Sequence, residues 1–113
     1  MEAWVIIAII AVFFIWRLLP AKGVQSISTT QLKTVLHDKD KVFIDVRTPA
    51  EYKGRNIPQF KNMPLGSNFD QLPRDKEIVV ICQSGMRSNQ ACKQLKKQGF
   101  ERVINVRGGM SAY

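Results

Sequence analysis

Apolar positions along this chain fall into runs of two kinds, one long and several short. From Ala3 to Trp16 no polar residue occurs, and Leu18 and Leu19 continue the run past Arg17. A helix resting on a small domain keeps a polar face towards water, whereas this segment would be apolar all round. It predicts a transmembrane helix over residues 3–19, at the short end of the ~17 to 25 residues needed to span a bilayer, with Arg17 snorkelling to the headgroups. Trp4 and Trp16 suit the two interfaces. Only Glu2 precedes the run while Arg17 and Lys22 follow it, the reverse of a cleaved secretory signal. The positive-inside rule then predicts a single-pass protein of the cell membrane with the remainder of the chain in the cytoplasm. Residues 20–23, Pro-Ala-Lys-Gly, read as a linker, which leaves 24–113 as one domain.

The short runs are those of strands. Val24–Ile27, Lys41–Val46, Glu77–Ile81 and Val103–Val106 are each nearly continuous in apolar character, the pattern of parallel strands covered on both faces. Between them the period changes. Ser28-Thr29-Thr30 supplies an N-cap for a helix running through His37, with Leu32, Val35 and Leu36 on one side. Pro49 to Lys53 starts a short helix with proline in its first turn. Arg87–Gln98 carries Ala91, Cys92 and Leu95 at helical spacing and is stopped by Gly99 and clamped by Phe100. The stretch from Asn56 to Asp75, with Pro58, Pro64, Pro73, Gly66 and Asn68, predicts loop with a short strand or turn. Strand and helix alternation implies an α/β layered fold, whose ligands bind beyond the carboxyl ends of the strands. Cys82, the pair Asp45 and Arg47, and Gly108-Gly109 all follow strands, so separate segments converge on one rim.

Charge narrows the partners. The net charge of +8 raises nucleic acid as a ligand, but the lysines and arginines are scattered among acids, as in Asp38-Lys39-Asp40-Lys41, and no aromatic and basic residues interleave to make a stacking platform. No nucleic-acid partner is predicted. The excess charge suits small anions or an anionic membrane surface. Cys82, Cys92 and His37 are too few for a structural zinc site and do not form a disulfide framework, so the sequence predicts a reduced setting and neither metal nor cofactor.

The chemistry concentrates in Cys82-Gln83-Ser84-Gly85-Met86-Arg87-Ser88, which ends a strand and opens a helix. At such a junction unpaired backbone N–H groups and the positive end of the helix dipole favour an anion, and a thiol there ionises more readily than free cysteine. The N–H groups from Gln83 to Ser88 form an anion-binding cradle, and Gly85 permits a turn closed to other residues. The alternative for Cys82 is a small buried apolar residue.

These segments resemble the single-domain rhodanese family of sulfurtransferases. Asp45-Val46-Arg47-Thr48-Pro49-Ala50-Glu51-Tyr52 is similar to the family's D-V-R-x-x-x-E-[YF] segment, Ile57-Pro58 and Asn62-Met63-Pro64-Leu65 to the loop that follows, and Cys82 to Ser88 to its C-x-x-G-x-R-S loop. Gly99-Phe100 and Gly108 to Tyr113 match its ending. The chain departs from the family at Arg55-Asn56-Ile57-Pro58-Gln59-Phe60, where G-H-I-P-G-A is frequent, and at Tyr113 in place of a terminal Trp. The resemblance covers about Val24 to Tyr113 and leaves the membrane segment outside. It implies a three-layer α/β/α fold with a central, mainly parallel sheet. It also implies that the Cys82 thiolate takes sulfane sulfur from thiosulfate or a persulfide donor, holds it as a persulfide, and passes it to a thiol or cyanide.

Loop length separates this chemistry from a related one. Phosphatases of this fold class place five residues between Cys and Arg and enclose a tetrahedral phosphate, whereas four residues separate Cys82 from Arg87. The smaller ring suits one sulfur atom, and no acid is evident to protonate a leaving alkoxide. A phosphatase or arsenate reductase remains the enzymatic alternative. A non-catalytic regulatory module at the membrane, or a carrier fed by a protein sulfur donor, remains as well, with a membrane protein as partner. Arg87 either contacts the sulfonate of thiosulfate or braces the loop through Asp45 or Glu51, and Arg47 either steers the anionic donor or is a solvated surface residue. Ser88 hydrogen-bonds within the loop, since no His accompanies it. Cys92 is read as core, being too far along the helix to bridge to Cys82, and His37 as a helix-end cation.

Overall fold

The computed structural model describes residues 2–18 and 23–113. After an N-terminal helix α1 (Ala3–Leu18) come β1 (Val24–Ile27), α2 (Thr29–Val35), β2 (Lys41–Asp45), α3 (Pro49–Gly54), β3 (Lys61–Asn62), β4 (Glu77–Ile81), α4 (Met86–Lys97), β5 (Val103–Val106) and α5 (Gly109–Ala112). The five strands form one parallel sheet in the order β1-β5-β4-β2-β3.

Both faces of that sheet are covered, which explains the continuous apolar runs. Along β4, Ile78 and Val80 pack on one side with Ala91, Cys92 and Leu95 of α4 and with Phe69 and Phe100. Val79 and Ile81 point the other way, into a second cluster with Leu32 of α2, Ile57, Phe60 and Met110 of α5. Alternation along an extended strand thus feeds two cores, and β4 at the centre has Ile78 to Ile81 wholly buried. The expected α/β/α layering with a central parallel sheet is the architecture found.

Local chemistry sets the element ends. Ser28 and Gln31 form a reciprocal capping box at α2, and Thr48 and Glu51 form another at α3, with Pro49 beginning that helix. Helix α2 ends at Val35, short of His37, because the chain turns there and the Asp38 N–H bonds back to Val35 O at 3.0 Å. Helix α4 begins at Met86, one residue before the expected start, after Gly85 as N-cap. It closes with Gly99 at φ +96° and the Phe100 N–H on Leu95 O at 3.1 Å. In the proline-rich stretch, Lys61–Asn62 makes the short edge strand beside Ile44 and Asp45.

The segment expected to form a transmembrane helix over residues 3–19 is described as α1 from Ala3 to Leu18. No helix among the described residues is long and apolar enough to cross a membrane. Leu19, the expected end of the span, and residues 20–22 of the expected linker lie outside the described residues. The apolar character of α1 is nonetheless uncovered: Trp4, Ile7 and Val12 are each about two-thirds exposed.

Candidate active site at the ends of the central strands

Because the strands are parallel and Asp45 lies level with Ile81 in the ladder, the chain leaves β2 and β4 on the same edge of the sheet. Cys82 is the first residue beyond β4 and has no exposed surface. Gln83, Ser84 and Gly85 then turn the chain into α4. Gly85 sits at φ +103°, a left-handed conformation that costs glycine little and other residues more. That turn aims its N–H at the sulfur, 3.0 Å from Cys82 Sγ. Ser88, itself buried, brings its Oγ within 3.3 Å of the same sulfur.

Two opposing effects act on the thiol. Burial pushes it up, since a thiolate loses hydration in the interior. Against this stand the Ser88 hydroxyl and the N–H groups of Ser88, Gly85 and Ser84, and together they hold the Cys82 thiol below its ordinary value. The other cysteine moves in the opposite direction. Cys92 lies buried in α4 without comparable donors, and burial, followed by the charge of a Cys82 thiolate, pushes it up to about 12. Both cysteines are free, and the chain therefore holds one activated thiol and one inert one.

Helix α5 shapes the cradle from behind. Met110 N–H donates to Cys82 O and Ser111 N–H to Gln83 O, each at 2.9 Å. These bonds draw the first two carbonyls of the loop away from the sulfur, so N–H groups face it. The approach requires glycine at 109, where a Cβ would stand 2.2 Å from Cys82 O and 2.8 Å from Gln83 O. Gln83 adds a side-chain tie, its Nε2 donating to Ser111 Oγ at 3.1 Å.

The charged residues sort themselves differently from the expectation. Arg87 turns to Glu51, with Nη1 and Nη2 donating to the two carboxylate oxygens at 2.7 and 2.9 Å, so of its two readings the brace is the one seen and Glu51 is the partner. The Arg87 guanidinium, aided by the Thr48 N–H, holds the Glu51 carboxyl down at about 2. Arg47 is neither solvated nor free to steer a substrate, because it is 2% exposed and paired with the wholly buried Asp45. Its Nε donates to both Asp45 oxygens and its Nη2 to Oδ2 at 2.8 Å. The same guanidinium reaches Arg55 O, Glu51 O and Gln83 Oε1. Arg47 thereby joins β2, the end of α3 and the cradle, which accounts for a charge at full burial: nearly every donor has an acceptor. Ser84 and Met86 lie exposed at the cradle mouth.

Three supports escaped the sequence reading. Helix α5 was visible only as Gly108-Gly109 after the last strand. Asn62, which donates to Asp45 O and Arg47 O at 3.0 Å each, and Arg55, which donates to Met110 O at 3.3 Å, carry no local signal of those contacts. Among the described residues no group of His, Cys, Asp and Glu could hold a metal ion.

Comparison with known proteins agrees with this arrangement. The rhodanese-like domain model matches residues 28–113. A sulfurtransferase of Allochromatium vinosum is 38% identical over 94 residues, covering 80% of this chain and 88% of the relative. YtwF of Bacillus subtilis is 42% identical over 94 residues, covering 80% and 90%. The crystal structure of a rhodanese-like domain protein from Staphylococcus aureus superposes with a TM-score of 0.70 at 33% identity, over 78% of this chain and 89% of that one. With the parallel sheet, the cysteine cradle at its carboxyl edge and these relatives together, the chain belongs to the rhodanese-like domain family.

Proposed function

We propose that the protein is a sulfurtransferase that carries sulfane sulfur on Cys82. The observation that carries the reading is a buried thiol whose sulfur receives the Gly85 N–H at 3.0 Å and lies below its ordinary pKa in spite of burial. The Cys82 thiolate attacks the outer sulfur of thiosulfate, a new S–S bond forms, the sulfur-to-sulfonate bond breaks and sulfite departs with its electron pair. A thiolate acceptor, or cyanide, then attacks the outer sulfur of the Cys82 persulfide. The S–S bond to Cys82 breaks, the electron pair returns to Cys82 as thiolate, and the acceptor leaves as a persulfide or thiocyanate. A persulfide donor enters by the same first step. Charge at sulfur persists throughout, and a fixed ring of N–H donors stabilises it without reorganising.

The phosphatase alternative loses support from the same geometry. Arg87 is turned outward to Glu51, leaving the cradle without the cation that a phosphate dianion would need. Incubating the full chain with thiosulfate and weighing it tests the proposal. A gain of about 32 Da, one sulfur atom, is expected in the wild type and not in Cys82→Ser. An unmodified wild-type mass overturns it.

The protein is also proposed to work at the cytoplasmic face of the cell membrane, held there by α1. Support comes from the exposed apolar side chains of that helix, Trp4, Ile7, Ile9 and Val12 among them, and from the cations Arg17 and Lys22 that follow. Protease digestion of sealed, right-side-out vesicles should leave the domain intact, and a membrane-free domain in cell fractions would refute the assignment.

A further inference from the structure

Acidic residues avoid one side of the molecule. None occurs between Glu2 and Asp38, between Glu77 and Glu101, or after Glu101, so β1, the whole of α4 and the segment after β5 contain no carboxylate side chain. Along α4 the outward positions are Met86, Gln90, Lys93 and Lys97, a single stripe at helical spacing opposite the buried Ala91, Cys92 and Leu95. Arg107 stands across a shallow groove that Met86 and Lys93 also line, its Nη1 fixed by Ser26 O of β1 at 3.0 Å. Lys41, Arg47, Arg74 and Arg87 each meet a carboxylate, whereas Lys93, Lys97 and Arg107 have no ion-pair partner among the described residues.

Helix α1 reaches the same side. Phe14 lines the groove together with Lys93 and Arg107, and the chain entering β1 runs against α4, where a Cβ at Gly23 would stand 3.1 Å from Lys96 Cε. Four residues separate Leu18, the end of α1, from Gly23, a reach of about 18 Å even when fully extended. The uncovered apolar helix and the unpaired cations are therefore tied to one side, with Arg17 and Lys22 close by in the sequence. Apolar side chains flanked by such cations match a bilayer with anionic headgroups, where the first enter the acyl boundary and the second meet phosphate. An acidic protein would satisfy the cations but leave Trp4, Ile7 and Val12 in water.

We propose that the face formed by α4 and Arg107 docks on an anionic lipid surface, with Lys93, Lys97 and Arg107 on the headgroups. The inference rests on the reading of α1 as the membrane tether. Docking fixes the orientation of the domain as well as its location. Met86 ends the stripe one residue from Gly85, so the mouth of the Cys82 cradle opens at the rim of the lipid contact. The contact is electrostatic and short in range, since salt screens charges beyond a Debye length of about 8 Å at physiological ionic strength.

The full chain reconstituted into phosphatidylcholine vesicles, with or without about one-third phosphatidylglycerol, tests the proposal. Lysines are acylated with acetic anhydride, an uncharged reagent, and the extent at each is read by peptide mass spectrometry. An anionic surface holds a nearby ammonium in its unreactive form by about fivefold per cation, so phosphatidylglycerol should slow Lys93 and Lys97 about fivefold relative to Lys61. Lys61 lies on β3, at the far edge of the sheet from β1. The double variant Lys93→Glu with Arg107→Glu should return Lys97 to its rate in phosphatidylcholine. No slowing of Lys97, equal slowing of Lys61, or continued slowing of Lys97 in the double variant overturns the docked face. A chain that fails to float with phosphatidylcholine vesicles overturns the α1 tether, and slowing of Lys97 by the phosphatidylglycerol vesicles would then leave the face standing.

Discussion

Ser88→Ala isolates the donor that does most to offset the burial of Cys82. The hydroxyl lies 3.3 Å from Sγ and is the largest of the influences that lower the thiol, ahead of the three backbone N–H groups. Its removal leaves those N–H groups, the Gly85 turn and the helix in place, because the Ser88 side chain makes no other hydrogen bond among the described residues. A hydrogen bond to a charged group contributes about 1.5–3 kcal/mol, so the Cys82 titration should move up. Ultraviolet absorbance of the thiolate, followed against pH on the folded protein, reads this directly. Cys92 does not interfere, since it titrates only near about 12. Alkylation by iodoacetamide at neutral pH should slow in step with the fall in thiolate fraction. An unchanged or lowered midpoint in a variant with native thermal unfolding would refute the argument that local donors, and not the helix as a whole, ionise the sulfur.

The charged supports give two further tests. Arg47→Met leaves the buried Asp45 carboxylate without its cation and should cost about 3–5 kcal/mol in denaturant unfolding, while a loss below about 1 kcal/mol would show that the pair contributes little to holding β2, α3 and the cradle together. Glu51 has a folded pKa of about 2 against an ordinary 4.5, so its contribution to stability is complete above the ordinary value and fades as pH falls towards the folded one. Thermal unfolding in the wild type should therefore weaken as pH drops through that window, and Glu51→Gln should flatten the slope; parallel profiles for the two proteins would contradict the assignment.

What the sequence determined by itself was everything carried by neighbours along the chain. Alternating burial on two faces made the strands read as apolar runs, and Ser28, Pro49 and Gly99 marked helix ends from within the turn they begin or close. The cradle was legible for the same reason, because its donors are consecutive backbone N–H groups and its turn needs one glycine. Tertiary structure decided the pairings between distant segments. Arg87 chose Glu51 over Asp45, and Arg47 went inward and not to the surface, because the level ends of β2 and β4 bring α3 beside the cradle and leave Asp45 buried and paired with Arg47. No local pattern encodes that choice. Nor does one encode α5 folding back so that Gly109 meets Cys82 O, or Lys93 and Arg107 lining one groove from α4 and the end of β5. Such contacts depend on sheet order, and sheet order is fixed by how the two apolar cores close together.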